Sequence, residues 1–198
     1  MSLPSKALTD NSDLYSELEA LPEHLVGEIV NGQLFEHPRP SGLHGVAAST
    51  LGSDIHQSFH RGRGGPGGWW ILDEPELHLN GDVVVPDIAG WRRTTMPDIP
   101  TDHRFVVPPD WICEVLSPSN ASHDRIVKMP IYANAGIKHV WVVDPLMKTQ
   151  EVFELHNQRW TLHSGYKDDD EIKAPPFEEV SFELAALWHT SSNQSPAG

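Results

Sequence analysis

The sequence predicts a mixed α/β domain, and three observations support this fold class. Short apolar runs that are typical of buried strands occur at 83–89, 111–116 and 139–143, and segments of helical periodicity lie between and around them. A length of 198 residues fits one domain, and an apolar fraction of 38% is enough for a hydrophobic core. No apolar run approaches the ~18 residues that a membrane-spanning helix needs. We expect a flexible N-terminus over 1–12, a single domain over 13–189 and a disordered tail over 190–198.

The first part of the domain is predicted to contain a helix, a hairpin and a second helix. Leucine spacing indicates the first helix over 13–21. Asn31-Gly32 supplies the two positive-φ positions of a type I′ turn, which favours a β-hairpin. The second helix is expected over 43–59, and its apolar stripe is formed by Val46, Leu51, Ile55 and Phe59.

The remainder is predicted to be mostly strands, with one further long helix. That helix is expected over 122–134, because Ser122 can cap its start and Gly136 can end it. Pro130 should kink or shorten the helix. A proline-rich loop is expected over 96–109 and a short closing helix over 182–188. The predicted strands are 69–72, 76–79, 83–89, 111–116, 139–143, 150–155 and 158–164.

Charge and cysteine content limit the function classes. There are 28 acidic and 14 basic residues, giving a formal net charge of −14. This charge disfavours nucleic-acid binding through bulk charge, although a local basic patch or a carboxylate-bound metal ion stays compatible with it. The lone Cys113 excludes a disulfide framework and a cysteine-rich zinc site, and we expect it to pack in the core. One cysteine and no secretory signal pattern predict a cytoplasmic protein.

Two carboxylates occupy positions in apolar strands. Asp87 directly follows Pro86, and Glu114 lies within Trp-Ile-Cys-Glu-Val-Leu. A buried carboxylate is normally paired, hydrogen-bonded or bound to a metal. Converging from neighbouring strands, the two groups would bind a hard divalent cation such as Mg²⁺, which can activate water against a phosphodiester. The alternative is that each carboxylate caps a strand end or pairs with an arginine.

The predicted helix over 122–134 adds a third element. Asp124, Lys128 and Tyr132 are spaced four residues apart and therefore share one helix face. If that face overlooks the strand ends, Lys128 could contact the scissile phosphate or orient the attacking water. The alternative is an ordinary Asp–Lys pair on the surface.

Other side chains give weaker signals. His56 and His60 have the spacing of a metal-ligand pair, but without an evident third ligand they are expected to lie on a solvated face. Trp69-Trp70 could stack on bases or pack in the core. Four arginines could grip phosphates near the site or could be solvated loop charges: Arg61, Arg63, Arg92 and Arg93.

Several motifs occur in a specific order between residues 13 and 165. They are Glu28-Ile29-Val30-Asn31-Gly32-Gln33-Leu34, His44, Pro86-Asp87, Glu114-Val115-Leu116-Ser117-Pro118-Ser119, Asp124, Lys128-x-x-x-Tyr132, Gly136 and His139-Val140-Trp141-Val142-Val143-Asp144-Pro145. This ordered set resembles the Uma-two family of restriction endonucleases in the PD-(D/E)XK nuclease superfamily.

The resemblance implies a restriction-endonuclease-like fold, in which helices flank a central mixed sheet and a β-hairpin lies at the N-terminus. It also implies that Asp87 and Glu114 hold Mg²⁺ or Mn²⁺, with the Val115 carbonyl as a further ligand. Glu74 or Glu76 would add an outer acid. Leu116 replaces the superfamily's lysine two residues after the glutamate, and the resemblance transfers that role to Lys128.

The function expected from these residues is that of a metal-dependent endonuclease. It would hydrolyse DNA phosphodiester bonds by in-line attack of a metal-activated water. The four arginines named above and Lys128 would give one face of positive or neutral potential near the pocket. The alternative is a catalytically decayed nuclease fold that serves as a nucleic-acid or protein interaction module, which the acidic charge and Leu116 favour. A cupin-like enzyme is disfavoured because the histidines do not cluster on adjacent strands. A homodimer is expected, since two active sites are needed to cut two strands.

Overall fold

The structure is a computed structural model that describes residues 11–38 and 41–188. Two larger sheets and one small one contain its strands. The five-stranded sheet has the order β2-β1-β5-β4-β7, with β1 (Leu25–Val30), β2 (Gln33–Pro38), β4 (Glu76–Leu79), β5 (Asp82–Val84) and β7 (Arg104–Phe105). The six-stranded sheet has the order β11-β10-β9-β8-β6-β3, with β3 (Trp69–Asp73), β6 (Ile88–Arg92), β8 (Trp111–Val115), β9 (His139–Asp144), β10 (Thr149–His156) and β11 (Arg159–Lys167). The small pair is β12 (Glu171–Ile172) and β13 (Phe182–Glu183).

Three helical regions accompany these sheets. The first is α1 (Asn11–Glu19), and the second is α2 (Gly42–Ile55), which continues as a π-helical turn over His56–His60. The third, called the 121–134 helix below, consists of α3 (Ala121–His123), a π-helical turn (Asp124–Lys128) and α4 (Met129–Asn134). A 3₁₀ turn (Leu184–Leu187) follows β13, where a short helix was predicted. In the described part of the chain, every helix is too short or too polar to cross a bilayer.

The predicted N-terminal hairpin is confirmed. Asn31 and Gly32 have φ angles of 52° and 70°, and Val30 pairs with Gln33, as a two-residue type I′ turn requires. Strand β1 also pairs with β5 through Ile29 and Val83. The hairpin is therefore part of a larger sheet, and this buries the inner face of β1.

The apolar segment 83–89, predicted as one strand, is divided between the two sheets. The chain leaves the five-stranded sheet after Val84 and joins the six-stranded sheet at Ile88. Pro86 lies between them and has no backbone N–H to donate to a ladder. The backbone groups of this crossing need other partners, because buried N–H and C=O groups are almost always hydrogen-bonded.

Helices cover both faces of the six-stranded sheet, as expected for this fold. Ala47, Leu51 and Ile55 of α2 share a buried cluster with Trp111 and Cys113 of β8. Ile112 and Leu116, which point the other way, share a second cluster with Tyr132 of the 121–134 helix. Alternation along β8 therefore directs the Glu114 side chain toward the 121–134 helix.

One local expectation, the place of Val46 in the buried stripe of α2, needed correction. Val46 is 42% exposed, and Ala47 takes its place in the buried stripe of α2. Pro130 lies in the first turn of α4, directly after the π-helical turn, so the helix widens just before the proline without ending. The predicted N-terminal flexibility and C-terminal tail concern residues that lie mostly outside the described ranges.

Candidate active site

A cleft of about 50 Å³ lies between the hairpin, the crossing from β5 to β6, the end of β8 and the 121–134 helix. This volume exceeds the roughly 10–15 Å³ that one water molecule needs. Among the described residues, its charged and imidazole lining comprises five carboxylates, one lysine and three histidines: Glu28, Glu74, Asp87, Glu114, Asp124, Lys128, His37, His44 and His123. The sequence-predicted trio of Asp87, Glu114 and Lys128 thus meets in one place.

Asp87 lies at the end of the crossing, directly across from Glu114, because Ile88 pairs with Cys113 in antiparallel register. Its Oδ2 accepts a hydrogen bond of 2.7 Å from the Val115 N–H. Its Oδ1 lies 3.0 Å from Nε2 of His44, which projects from the first turn of α2. Burial lowers the pKa of His44, but the Asp87 carboxylate outweighs this effect and raises the pKa above its ordinary value.

Glu114 is 1% exposed and is held by two donors. Its Oε1 lies 2.9 Å from Lys128 Nζ and also accepts a hydrogen bond from the Tyr132 hydroxyl. Burial raises the pKa of Glu114 well above its ordinary range, and Lys128 only partly opposes this. Glu114 is therefore a carboxyl whose charge depends on the cations around it.

Lys128 is buried and has four oxygen partners. Its Nζ donates a 2.9 Å hydrogen bond to the Val85 carbonyl and lies 3.1 Å from Glu28 Oε1 and 3.5 Å from Asp124 Oδ1, in addition to Glu114. Burial lowers the pKa of Lys128, but Glu114 and Glu28 outweigh it and raise the pKa well above its ordinary value. The ammonium is thus a fixed positive charge within a group of acids.

Glu28 is a site residue that the sequence analysis did not single out. Its Oε1 accepts a 2.8 Å hydrogen bond from the Val85 N–H, and its Oε2 lies 2.8 Å from Nε2 of His123. Burial raises the pKa of Glu28, but Lys128 and then the imidazole of His123 lower it well below its ordinary range. A carboxylate beside Ile-Val in a strand was the available signal, the same one that identified Glu114.

The site side chains also provide the missing partners of the crossing. The Val85 N–H goes to Glu28 and its carbonyl to Lys128. The carbonyl of Asp87 accepts a 3.0 Å hydrogen bond from the backbone N–H of Glu74. The same charged groups therefore line the cleft and complete the backbone hydrogen bonding between the two sheets.

The structure separates the two outer-acid candidates. Glu74, with a φ of 47°, lines the cleft. Glu76 accepts a 2.7 Å hydrogen bond from the Tyr15 hydroxyl and lies 2.7 Å from His78 Nε2. Val115 is fully buried and outside the described lining of the cleft, so its carbonyl stays a predicted ligand only.

The expected basic face near the pocket is wrong for the arginines. Arg92 lies at the far end of β6 from Asp87, roughly 17 Å away at about 3.3 Å per residue. The guanidinium of Arg92 stacks over Trp69 at 4.5 Å and that of Arg93 over Trp70 at 4.1 Å. Arg61 and Arg63 follow the π-helical turn of α2, whose His60 carbonyl accepts from Arg93, so they belong to this distant end.

Four further residues discussed from the sequence have structural roles. The His56 and His60 rings stack with centroids 4.1 Å apart, and His60 Nδ1 accepts a hydrogen bond from the Ile71 N–H. Cys113 is fully buried in the core, where burial raises its thiol pKa well above the ordinary value. Leu116, which replaces the superfamily's lysine, is 4% exposed and packs in the second cluster.

The mixed sheet, its flanking helices and the position of the cleft define a restriction-endonuclease-like fold. A solved structure titled "Crystal structure of a putative nuclease belonging to DUF820 from Anabaena variabilis ATCC 29413 at 1.96 A resolution" matches with a TM-score of 0.71 and 22% sequence identity. The match covers 87% of this chain and 96% of that one.

The family model Uma2, described as "Putative restriction endonuclease", matches residues 13–186. The chain therefore belongs to the Uma2 family, which confirms the family and the fold that the sequence motifs indicated. Comparison with curated proteins gives no match. Family membership supports a nuclease that acts on nucleic acid.

Proposed function

We propose that this protein is a Mg²⁺- or Mn²⁺-dependent endonuclease that hydrolyses DNA phosphodiester bonds. The observation that carries the proposal is the convergence of Asp87, Glu114 and Lys128 on one small cleft in a chain of a restriction-endonuclease family. Two neighbouring carboxylates and a cation are side chains suited to phosphodiester hydrolysis with a metal-activated water.

The residues of the cleft fit a hard divalent cation. Five carboxylates face one lysine there, and Oδ2 of Asp124 is buried with no hydrogen-bond partner among the described residues. Mg²⁺ and Mn²⁺ prefer oxygen ligands and keep several waters, for which the cleft has room. Asp87 and Glu114 would hold the ion, with the Val115 carbonyl as a further ligand. Bound there, the ion would supply an activated water and neutralise charge on the phosphate.

The chain's own groups have separate tasks in this proposal. Tyr132 and Lys128 fix the orientation of Glu114, and the Val115 N–H and His44 fix Asp87. Lys128 also brings the one ammonium of the described cleft, whose charge favours the phosphate group. Because the cleft is otherwise acidic, DNA phosphates approach it only when cations are bound.

A plasmid-nicking assay with Mg²⁺ or Mn²⁺ tests the proposal. Asp87→Asn and Glu114→Gln should each lower the nicking rate by at least roughly 100-fold, the usual cost of losing one electrostatic element of an active site. Asp98→Asn is the matched control, since Asp98 is an exposed carboxylate outside the cleft. If the wild type and both cleft variants nick DNA at the same metal-dependent rate, the assignment of Asp87 and Glu114 to the active site is wrong. Folded wild type that binds DNA but never cleaves it would favour the interaction-module alternative.

A further inference from the structure

We propose a second cation site in the same cleft, formed by Glu28, His37 and His123 and suited to a divalent transition metal such as Zn²⁺. The site is distinct in ligand chemistry from the one that Asp87 and Glu114 would form. It does not depend on DNA cleavage, and it would exist in this chain whether or not the protein is an active nuclease.

The hairpin places two of the three ligands on one face. Glu28 pairs with Phe35 in the antiparallel register, so Phe35 and His37, two residues further along β2, share the face of Glu28. His123 ends α3 and packs on this face, with its ring centroid 4.6 Å from that of His37 and 5.2 Å from that of Phe35.

The distances suit one ion. Oε2 of Glu28 lies 2.8 Å from His123 Nε2 and 3.5 Å from His37 Nε2, and the three ligand atoms all lie within 4.8 Å of one another. Ligands of a tetrahedral zinc ion are about 3.4 Å apart at metal–ligand distances of about 2.1 Å. The three separations, 2.8 Å, 3.5 Å and at most 4.8 Å, bracket this spacing.

Two of the ligand atoms, Glu28 Oε2 and His123 Nε2, share a 2.8 Å hydrogen bond, which a metal ion bound between them would replace. Oε1 of Glu28 is engaged by the Val85 N–H and Lys128, whereas Oε2 faces the two imidazoles. His37 Nε2 is shielded from water and lies 3.5 Å from Glu28 Oε2, so its lone pair or N–H has no short hydrogen bond within the described ranges. A metal ion accepts that lone pair and gives the nitrogen a partner.

The donor set determines the class of ion. Two imidazole nitrogens and one carboxylate oxygen form the ligand set of catalytic zinc sites and favour Zn²⁺ or Co²⁺ over Mg²⁺ and Ca²⁺. The side chains of His37 and His123 are 25% and 12% exposed, so an ion can enter from the cleft and keep a water as its fourth ligand. Lys128 lies between this site and Glu114, at 3.1 Å from Glu28 and 2.9 Å from Glu114.

Calorimetric titration of the chelator-treated full-length protein with Zn²⁺, and visible absorption with Co²⁺, test the proposal. The wild type should bind one equivalent that excess Mg²⁺ does not displace, with the absorption of tetrahedral Co²⁺. His37→Ala should weaken Zn²⁺ binding at least tenfold, since even loss of an outer-shell partner costs about 10–100-fold. His37 lies on edge strand β2 and is partly exposed, so this variant should fold.

Three further variants complete the test. His123→Ala should weaken binding like His37→Ala, whereas His163→Ala, which alters an exposed histidine on β11, should leave it unchanged. Asp87→Asn should retain Zn²⁺ binding even if it abolishes nicking, which separates this proposal from the nuclease proposal. The proposed site is wrong if the wild type does not bind Zn²⁺. It is also wrong if Asp87→Asn abolishes Zn²⁺ binding while His37→Ala retains it.

Discussion

Replacing Lys128 with methionine tests the central electrostatic feature of the cleft. Methionine keeps most of the length and apolar volume of the side chain but removes the ammonium. Glu28, Glu114 and Asp124 then lose a cation that lies 2.9–3.5 Å from their oxygens, and the Val85 carbonyl loses its donor. Removing one partner of a buried ion pair typically costs about 3–5 kcal/mol.

The loss should be visible as a lower melting temperature. For a chain of this size, 1 kcal/mol corresponds to about 2–4 °C, so Lys128→Met should melt roughly 6–20 °C below the wild type without divalent ions. Calorimetry or circular dichroism measures the difference. Lys138→Met is the matched control, since Lys138 is exposed, and it should melt within about 2 °C of the wild type.

Addition of Mg²⁺ or Mn²⁺ extends this test. A divalent cation can replace the missing positive charge, so the deficit of Lys128→Met should shrink as the metal concentration rises, while Lys138→Met stays unchanged. If Lys128→Met melts together with Lys138→Met in the absence of metal, the account of Lys128 as the buried counter-ion is wrong.

Three further predictions concern residues outside the proposed metal sites. Leu116→Lys, which restores the superfamily's lysine in sequence, should destabilise the protein by about 3 kcal/mol or more in urea unfolding because it buries a charge in an apolar cluster, whereas Leu116→Met should cost under about 1.5 kcal/mol. Burial, His56 and Arg93 lower the pKa of His60 below its ordinary value of 6.5, so the unfolded chain binds more protons below about pH 7. The free energy of unfolding should therefore decrease as the pH drops through 6.5 and level off below the pKa of His60 in the folded protein. Melting temperatures of His60→Asn measured between pH 8 and 5 should decrease less than those of the wild type. Tyr15→Phe removes the donor to Glu76 and should cost about 1 kcal/mol in urea unfolding, with no cost if that hydrogen bond is absent in solution.

The site residues that could be identified from the sequence are those that depart from the local pattern of apolar and polar residues. Asp87 and Glu114 are acids in apolar strands, and such an exception to local patterning commonly marks a functional site. The i, i+4 spacing of Asp124 and Lys128 placed both side chains on one helix face, and the family resemblance gave Lys128 its role; the 121–134 helix does keep both side chains close to one another near Glu114. Strand alternation and helical periodicity gave the positions of these residues, whereas their roles came from the family resemblance.

The residues that were missed depend on contacts between distant segments. Glu28 lies in a hairpin strand, and its burial results from the pairing of β1 with β5, more than 50 residues away. His37 and His123 meet only because the hairpin packs against α3, which periodicity does not encode. The crossing at Val85–Asp87 was hidden by a continuous apolar run, although Pro86 was a signal that one strand could not continue.

Two backbone amides beside the cleft are hydrogen-bonded to its carboxylates and can report on the occupancy of the cleft. The N–H of Val85 is bonded to Glu28 and that of Val115 to Asp87, so carboxylates instead of strand partners protect both amides from hydrogen exchange. Any cation that binds either carboxylate changes the strength of the corresponding N–H bond. Site-resolved exchange rates or amide chemical shifts at these two valines therefore monitor, separately, the occupancy of the Glu28 side and the Asp87 side of the cleft.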